Sequence, residues 1–434
     1  MQRVKKIFSA DLVKVSFLNA IATFIKMLTG LVSNKIVAGI GADAIALLGQ
    51  LNNLSTILLG ISTGGINAGV TKYTAEHSGS PEKYNKFIGT GFWITIVLSV
   101  ITGLVLIIGA NFFSHTILHS NEYQLVFYIF GFTIVLYALN MLLISIMNGF
   151  KEFKKYVIAN ITASIVGLIF AVVLATLYNT IGALIGFVTY QSVVFFITLA
   201  LVHRAPWFKW RIFTHQFSKS AALKLGNYSL MALVSAIVMP AAQMIVRNYI
   251  TNHTLPGDAG LQEAGYWEGV NKLSTMYLLV VTTSLSVYYL PRLTELKTDY
   301  DLRKEVFSVY KLVIPFLILA SIIIFAGRYL LIELLFTPEF RPMDKFFLYQ
   351  LPGDLFKMSG WVLGYIMIAR SMTRTYVTME LVSSSAQVLF SILFINLFGS
   401  IGGSIGYACG HLLYLLIMIF IFRKMFFSSK NAVA

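Results

Sequence analysis

The chain alternates long apolar runs with short polar breaks, and the runs share one characteristic length. Twelve of them fall at about 12–33, 44–70, 87–110, 124–147, 156–178, 181–202, 222–249, 265–290, 306–326, 346–369, 375–397 and 401–422. Each is about 20 residues, enough to cross a bilayer as an α-helix. They are continuous rather than alternating with period two, which argues against the roughly ten-residue strands of a membrane barrel. The pattern predicts an all-α polytopic membrane protein with twelve transmembrane helices.

The pattern is also written twice. Leu51-Asn52-Asn53-Leu54-Ser55-Thr56 returns 219 residues later as Val270-Asn271-Lys272-Leu273-Ser274-Thr275. Thr180-Ile181-Gly182-Ala183-Leu184-Ile185-Gly186-Phe187 returns after 220 as Ser400-Ile401-Gly402-Gly403-Ser404-Ile405-Gly406-Tyr407. Two matches at nearly one offset, close to half of 434 residues, predict a duplicated six-span unit. Six is even, so both copies enter from the same side and their pseudo-twofold should run along the membrane normal. The expected architecture is an N-terminal six-helix lobe (1–203), a cytoplasmic amphipathic linker (204–221) and a C-terminal six-helix lobe (222–434), with a cavity between the lobes. The linker holds Pro206 and Trp207-Phe208-Lys209-Trp210-Arg211, rings and basic groups suited to the headgroup zone.

Composition agrees: mean hydropathy is +0.77 and only 12% of residues are charged, against about 25% in soluble domains. With the N-terminus in the cytoplasm, 24 of the 33 Lys and Arg fall in cytoplasmic segments. Five (Lys35, Arg247, Arg328, Arg341, Lys345) fall outside, and Lys14, Lys26, Lys272 and Lys357 lie within spans. That bias sets the orientation, with both termini cytoplasmic. It also accounts for most of the net charge of +15, so nucleic acid is not the expected partner. The apolar run after Met1–Lys6 is too long for a signal peptide and carries two lysines, so it is read as span 1.

Enzyme chemistry finds no support. The single cysteine, Cys409, rules out an intramolecular disulfide and a multi-cysteine metal site. His115 and His119 stand four apart in an outer loop with no acidic neighbour, the pattern of a solvated pair rather than a metal site. Gly60-x-x-x-Gly64 and Gly65-x-x-x-Gly69 are small-residue spacings for helix contact. No loop is long enough for a catalytic domain. No catalytic residue, metal or cofactor is expected.

Function must then reside in polar groups inside the spans, where a charge is expensive enough to need a reason. Lys26 lies about two-thirds along span 1, with no acidic partner within one turn in its own helix; a distant carboxylate such as Glu380 could satisfy it, and so could a bound anion, the reading favoured here. Span 8 carries Glu268 and Lys272, four apart and therefore on one face, with Asn271 adjacent. Span 10 carries Asp354 and Lys357, three apart; span 11 carries Glu380, with Gln387 two turns on. His411 in span 12 reads as a packed core histidine. For Glu268–Lys272, mutual neutralisation and a functional role are balanced; for Asp354–Lys357, the depth of Lys357 favours function. In the repeat, Lys272 corresponds to Asn53, Asp354 to Ile134 and Lys357 to Tyr137, so the second copy has charges the first lacks. The substrate-binding candidates are Lys26, Asn53, Asn271, Lys272 and Lys357; the coupling or gating candidates are Glu268, Asp354 and Glu380.

Twelve spans in two halves, with Gly69-Val70-Thr71-Lys72-Tyr73 closing span 2, resemble the lipid-linked oligosaccharide flippases of the multidrug/oligosaccharidyl-lipid/polysaccharide exporter superfamily. Three further stretches resemble its lipid III flippase and O-antigen translocase branch: Leu230-Met231-Ala232-Leu233 with Pro240, Tyr266-Trp267-Glu268-Gly269-Val270, and Gly353-Asp354-Leu355-Phe356-Lys357 leading to Gly364-Tyr365. The resemblance covers essentially the whole chain and implies movement of an undecaprenyl-diphosphate-linked oligosaccharide across a bacterial inner membrane by alternating access. It implies a cationic cavity for the diphosphate and, as partners, the lipid bilayer with polysaccharide polymerase and chain-length machinery. It fixes no binding residue. A multidrug exporter of the same superfamily is the alternative, but organic cations call for acidic cavity residues, and span 1 offers Lys26 instead. The peptidoglycan-precursor branch normally has two more helices, and a glycosyl polymerase or ligase would need a catalytic outer loop.

Overall fold

The computed structural model describes residues 21–213, 215–296 and 298–426. Lys14, the remaining N-terminal part of span 1 and the extreme C-terminus lie outside the described residues. The helices are α1 (Ile21–Ala38), α2 (Ala42–Ser62), α3 (Asn67–Glu76), α4 (Pro81–Ile108), α5 (Ala110–Leu118), α6 (Gln124–Gly149), α7 (Phe153–Val202), α8 (Trp210–Phe213) and α9 (Lys219–His253). They continue as α10 (Asp258–Ser284), α11 (Leu290–Glu295), α12 (Asp299–Ala326), α13 (Arg328–Leu335), α14 (Asp344–Ala369), α15 (Thr373–Phe398), α16 (Gly402–Ile421) and α17 (Arg423–Phe426).

Each apolar run, as far as it is described, is largely helical, and all but those at 44–70 and 265–290 fall within a single helix, apart from a residue or two at the ends. α7 is two membrane-length arms separated at Tyr178 and Asn179, whose backbone leaves the helical region. α10 and α14 have full spanning length but carry several charges. Counting α7 as two, twelve helices among the described residues are long enough to cross a bilayer. Large side chains on their outer faces are bare, such as Ile108 at 84% and Leu312 at 76% exposed, as hydrocarbon contact requires. This is an all-helical, multi-pass membrane protein.

Contacts divide the chain into two compact units. The first runs to Ile40 and resumes over Leu47–Pro240; the second comprises Gly41–Ala46 and Ala241–Ala434. The division falls at Pro240 within α9.

In the first unit, glycines let helices approach closely, the means of association available where lipid offers no hydrophobic drive. A Cβ at Gly103 would lie 2.4 Å from the Gly131 carbonyl oxygen, so α4 and α6 cross backbone on backbone. Gly60, Gly65 and Gly69 meet Ala236, Leu233 and Leu225 of α9, so these spacings do serve a helix contact. Gly64 and Gly65 have φ of 59° and 64°, and the chain turns there between α2 and α3, which splits the expected span 2. The aromatic linker docks on this unit. Trp207 is buried, stacks on Phe150 at 4.9 Å and donates its Nε1–H to Glu152 Oε1 at 2.6 Å. Ile212 and Phe213 are buried too, whereas Lys209 and Trp210 stay exposed.

The second unit has its core where Tyr289, Met358, Val362, Ile366 and Met418 pack together. α10 ends in a π-helical turn, Leu285–Tyr289, and the Tyr289 hydroxyl donates to the Val362 carbonyl at 3.2 Å. The duplicated glycine motif has one structural job in both copies: it closes a tight helical hairpin. A Cβ at Gly182 would lie 1.8 Å from Leu174 O, and one at Gly402 would lie 2.1 Å from the Phe394 carbonyl carbon. Backbone irregularities recur at the same offset. Lys151 and Ser371 have φ of 58° and 53°, and Asn179 and Gly399 have 51° and 67°.

Candidate functional site

The second unit concentrates polar groups on the facing sides of α10, α14, α15 and α16. Asp354 is wholly buried on α14. A buried carboxylate needs donors, and two phenols supply them: Tyr277 of α10 and Tyr407 of α16 each donate to it at 2.7 Å, one per oxygen. Tyr407 reaches Asp354 because α14 has no side chain at Gly353; a Cβ there would lie 2.5 Å from the ring. Gly360 and Gly364 receive Tyr414 in the same way. Gly353, Gly360 and Gly364 therefore let α16 lay its tyrosines against α14.

Lys357, one turn beyond Asp354, is half-buried and makes no salt bridge among the described residues. Its ammonium sits 5.1 Å from the Trp361 ring centroid and 5.6 Å from that of Tyr407. Cation–π attraction of this kind holds a charge without consuming its hydrogen-bond donors. Tyr407 thus binds the carboxylate with its hydroxyl and supports the ammonium with its ring. His411 packs against the same ring at 4.3 Å, its Nδ1 2.9 Å from the Tyr407 carbonyl oxygen. Glu380 of α15, half-buried, lies within electrostatic range of Lys357.

A second strand of polarity runs beside this one. Ser404 Oγ donates to Gln350 Oε1 at 3.1 Å, and Gln350 Nε2 donates to Asn271 Oδ1 at 3.0 Å. The far end of the relay, Asn271 Nδ2, is buried without an acceptor among the described residues. Lys272 is next in sequence, half-buried and likewise without a salt bridge among the described residues.

Glu268 does not pair with Lys272, the neutralisation its spacing suggested. Its carboxylate is bound by Arg247 of α9; both residues are buried, and the guanidinium lies 5.8 Å from the Trp267 ring centroid. Arg247 stood among the outer-side cations in the sequence, and helical spacing gives no sign of a partner 21 residues away. A guanidinium, planar and fork-shaped, suits a buried carboxylate better than a lysine.

The structure therefore gathers Asn271, Lys272, Asp354, Lys357 and Glu380 in one unit and commits Glu268 to Arg247. Sequence reasoning missed Tyr277, Gln350, Trp361 and Tyr407. Only Gly353, which opens the place for Tyr407, could have pointed there. Of the first-unit candidates, Lys26 is exposed on α1 and Asn53 is half-buried on α2.

The chain is 28% identical over 382 residues to the lipid III flippase of Escherichia coli strain K12, covering 88% of this chain and 91% of that protein. Its fold matches an inward-facing multidrug resistance MATE family transporter of the MOP superfamily, with TM-score 0.74 and 15% identity over 96% of this chain and all of that one. It also matches the lipid II flippase MurJ in an inward closed conformation, with TM-score 0.71 and 15% identity over 95% and 90% of the two chains. The pattern that defines one family matches residues 51–345, about two-thirds of the sequence. The chain belongs to the polysaccharide biosynthesis protein family.

Proposed function

We propose that this protein is a flippase that carries an undecaprenyl-diphosphate-linked oligosaccharide, a lipid III or O-antigen unit, from the cytoplasmic to the periplasmic leaflet by alternating access. One observation carries the reading. Lys357 lies deep along a spanning helix, and the carboxylate one turn away is already engaged by two tyrosines. Its charge is left to attract an anion, and a diphosphate offers the short charge-assisted hydrogen bonds that replace lost water. Lys272 and Asn271 extend this donor surface along α10, and Lys26, exposed on α1, is the cationic candidate of the first unit. Glu380 competes for Lys357 when the anion has left, which keeps binding reversible.

In this reading the two repeats, 1–203 and 222–434, are the bodies that move, and the 204–221 linker stays on the cytoplasmic side with both termini. The setting is a bacterial inner membrane, and the product passes to polysaccharide polymerase and chain-length machinery. The protein performs no chemistry on its cargo.

Purified protein is expected to bind undecaprenyl diphosphate bearing N-acetylglucosamine and to show little affinity for cationic dyes. Lys357→Ala should abolish transport, and exchanging Asp354 with Lys357 should not restore it. Tight dye binding that survives Lys26→Ala and Lys357→Ala but disappears with Glu380→Gln would overturn the reading in favour of a multidrug exporter.

A further inference from the structure

The first unit carries its own buried polar cluster, and it is neutral. Asn140 of α6 is 0% exposed, and its Nδ2 donates to Gln191 Oε1 of α7 at 3.1 Å. Gln191 Nε2 then donates to the Tyr190 hydroxyl at 3.0 Å. The Tyr190 ring is seated 3.2 Å from where a Cβ of Gly167 would stand, so it too relies on a glycine for its place. Tyr137, one turn before Asn140, lies within electrostatic range of Tyr190.

This chain of groups is open at its ends. Asn140 Oδ1 is buried with no donor among the described residues, and the Tyr190 hydroxyl accepts from Gln191 while keeping a hydrogen to give. Reversing both amides would only exchange the open groups, leaving an amide N–H at Asn140. An unsatisfied polar end is costly in a membrane interior, so a ligand or water that completes it is strongly favoured. Tyr137, Tyr190 and Gln191 are half-buried rather than sealed, so the cluster reaches the surface of its unit.

The repeat sharpens its chemistry. At an offset of 220, Tyr137 stands where the second copy has Lys357, Gln191 where it has His411, and Ile134 where it has Asp354. The same framework thus carries a cation in one copy and only amides and phenols in the other. Neutral donors and acceptors beside aromatic faces match hydroxyl groups, which both give and accept hydrogen bonds; they do not match phosphate, which only accepts at full ionisation.

We propose that Asn140, Gln191, Tyr190 and Tyr137 form a carbohydrate subsite in the first unit that takes a neutral, hydroxyl-bearing sugar of the lipid-linked substrate. This inference rests on the transport reading above, with the diphosphate assigned to the second unit.

The test compares two probes on protein in nanodiscs: undecaprenyl diphosphate, and the same lipid bearing N-acetylglucosamine. Gln191→Leu and Tyr190→Phe should each weaken binding of the sugar-bearing lipid roughly tenfold, about what losing one or two hydrogen bonds yields. Both should leave the sugar-free lipid unaffected. Lys357→Gln should weaken both lipids alike. Equal affinity of the unmodified protein for the two lipids, or equal loss of both in Gln191→Leu, overturns the carbohydrate subsite and leaves the diphosphate reading standing. Sugar-dependent binding that ignores Lys357→Gln but falls in Gln191→Leu overturns the diphosphate assignment and supports the subsite. Failure of the unmodified protein to bind either lipid overturns both.

Discussion

The two units solve one structural problem with opposite chemistry. At an offset of 219 for the helix pair α2 and α10, and 220 further on, the second unit has Tyr277, Asp354, Lys357, Trp361, Glu380, Tyr407 and His411. The first has Leu58, Ile134, Tyr137, Met141, Asn160, Phe187 and Gln191 at those places. The differences are mutually consistent. Where the second unit buries Asp354, it supplies two phenols; where the first has Ile134, the corresponding positions are Leu58 and Phe187, which have no hydroxyl to give. A buried charge thus arrives together with the donors that make it tolerable. Helix interruptions diverge similarly. The first unit turns at Gly64 and Gly65 where the second has the π-helical turn over Leu285–Tyr289, an insertion common at functional sites.

The comparison breaks most severely at the buried ion pair that has no counterpart in the first unit. Glu268→Leu removes the carboxylate bound to the buried Arg247 guanidinium, and it should cost about 3–5 kcal/mol of stability, as broken buried pairs do. Arg247→Met in the same chain should recover most of the loss. Thermal unfolding in detergent of the single and double variants checks this, and a single variant as stable as the parent would show that Arg247 finds another acceptor.

Transplanting charge is the next largest perturbation. Ile134→Asp puts a carboxylate into the first unit without phenols at the matching places. The expected penalty approaches that of an unpaired charge at mid-membrane, about 2.5–3.5 kcal/mol on insertion scales. Adding Phe187→Tyr, which restores one donor at the place of Tyr407, should recover part of it. The yield of folded, membrane-inserted protein reads both steps; no recovery would mean that the two copies do not share side-chain geometry at this level.

These contrasts also mark what the sequence made legible. The helices follow directly from apolar length, and the duplication from two short motifs, because hydrocarbon imposes a coarse rule that composition obeys. Even Gly182 and Gly402 could be singled out as repeated, although not as hairpin crossings. Lys272, Asp354 and Lys357 were legible as charges out of place. Their partners were not. Helical spacing reveals neighbours three or four residues away, so it suggested Lys272 for Glu268 and Lys357 for Asp354. The actual partners, Arg247, Tyr277 and Tyr407, come from other helices. Tyrosines at such positions look like ordinary apolar filling until the fold shows where their hydroxyls end.

The smallest expected effect is the most diagnostic of how the second unit differs. Tyr407 donates to Asp354 with its hydroxyl while its ring lies beside the Lys357 ammonium. Removing only the hydroxyl keeps the ring, the packing against Gly353 and nearly all the volume. In Tyr407→Phe, Asp354 loses one of its two phenolic donors, and the nearest replacement one turn along its own helix is Lys357. An ion pair formed there would withdraw the lysine from an incoming anion. Affinity for the lipid diphosphate should then fall about tenfold or more, in line with the roughly 1.5–3 kcal/mol associated with hydrogen bonds to charged groups. Asp354→Asn removes the competing charge, so the double variant should bind more tightly than Tyr407→Phe alone. A purely structural role for the hydroxyl predicts the reverse, since a second change in the same contact would only loosen the packing further. Equal or additive losses in the double variant would therefore show that Tyr407 supports the fold without governing the availability of Lys357.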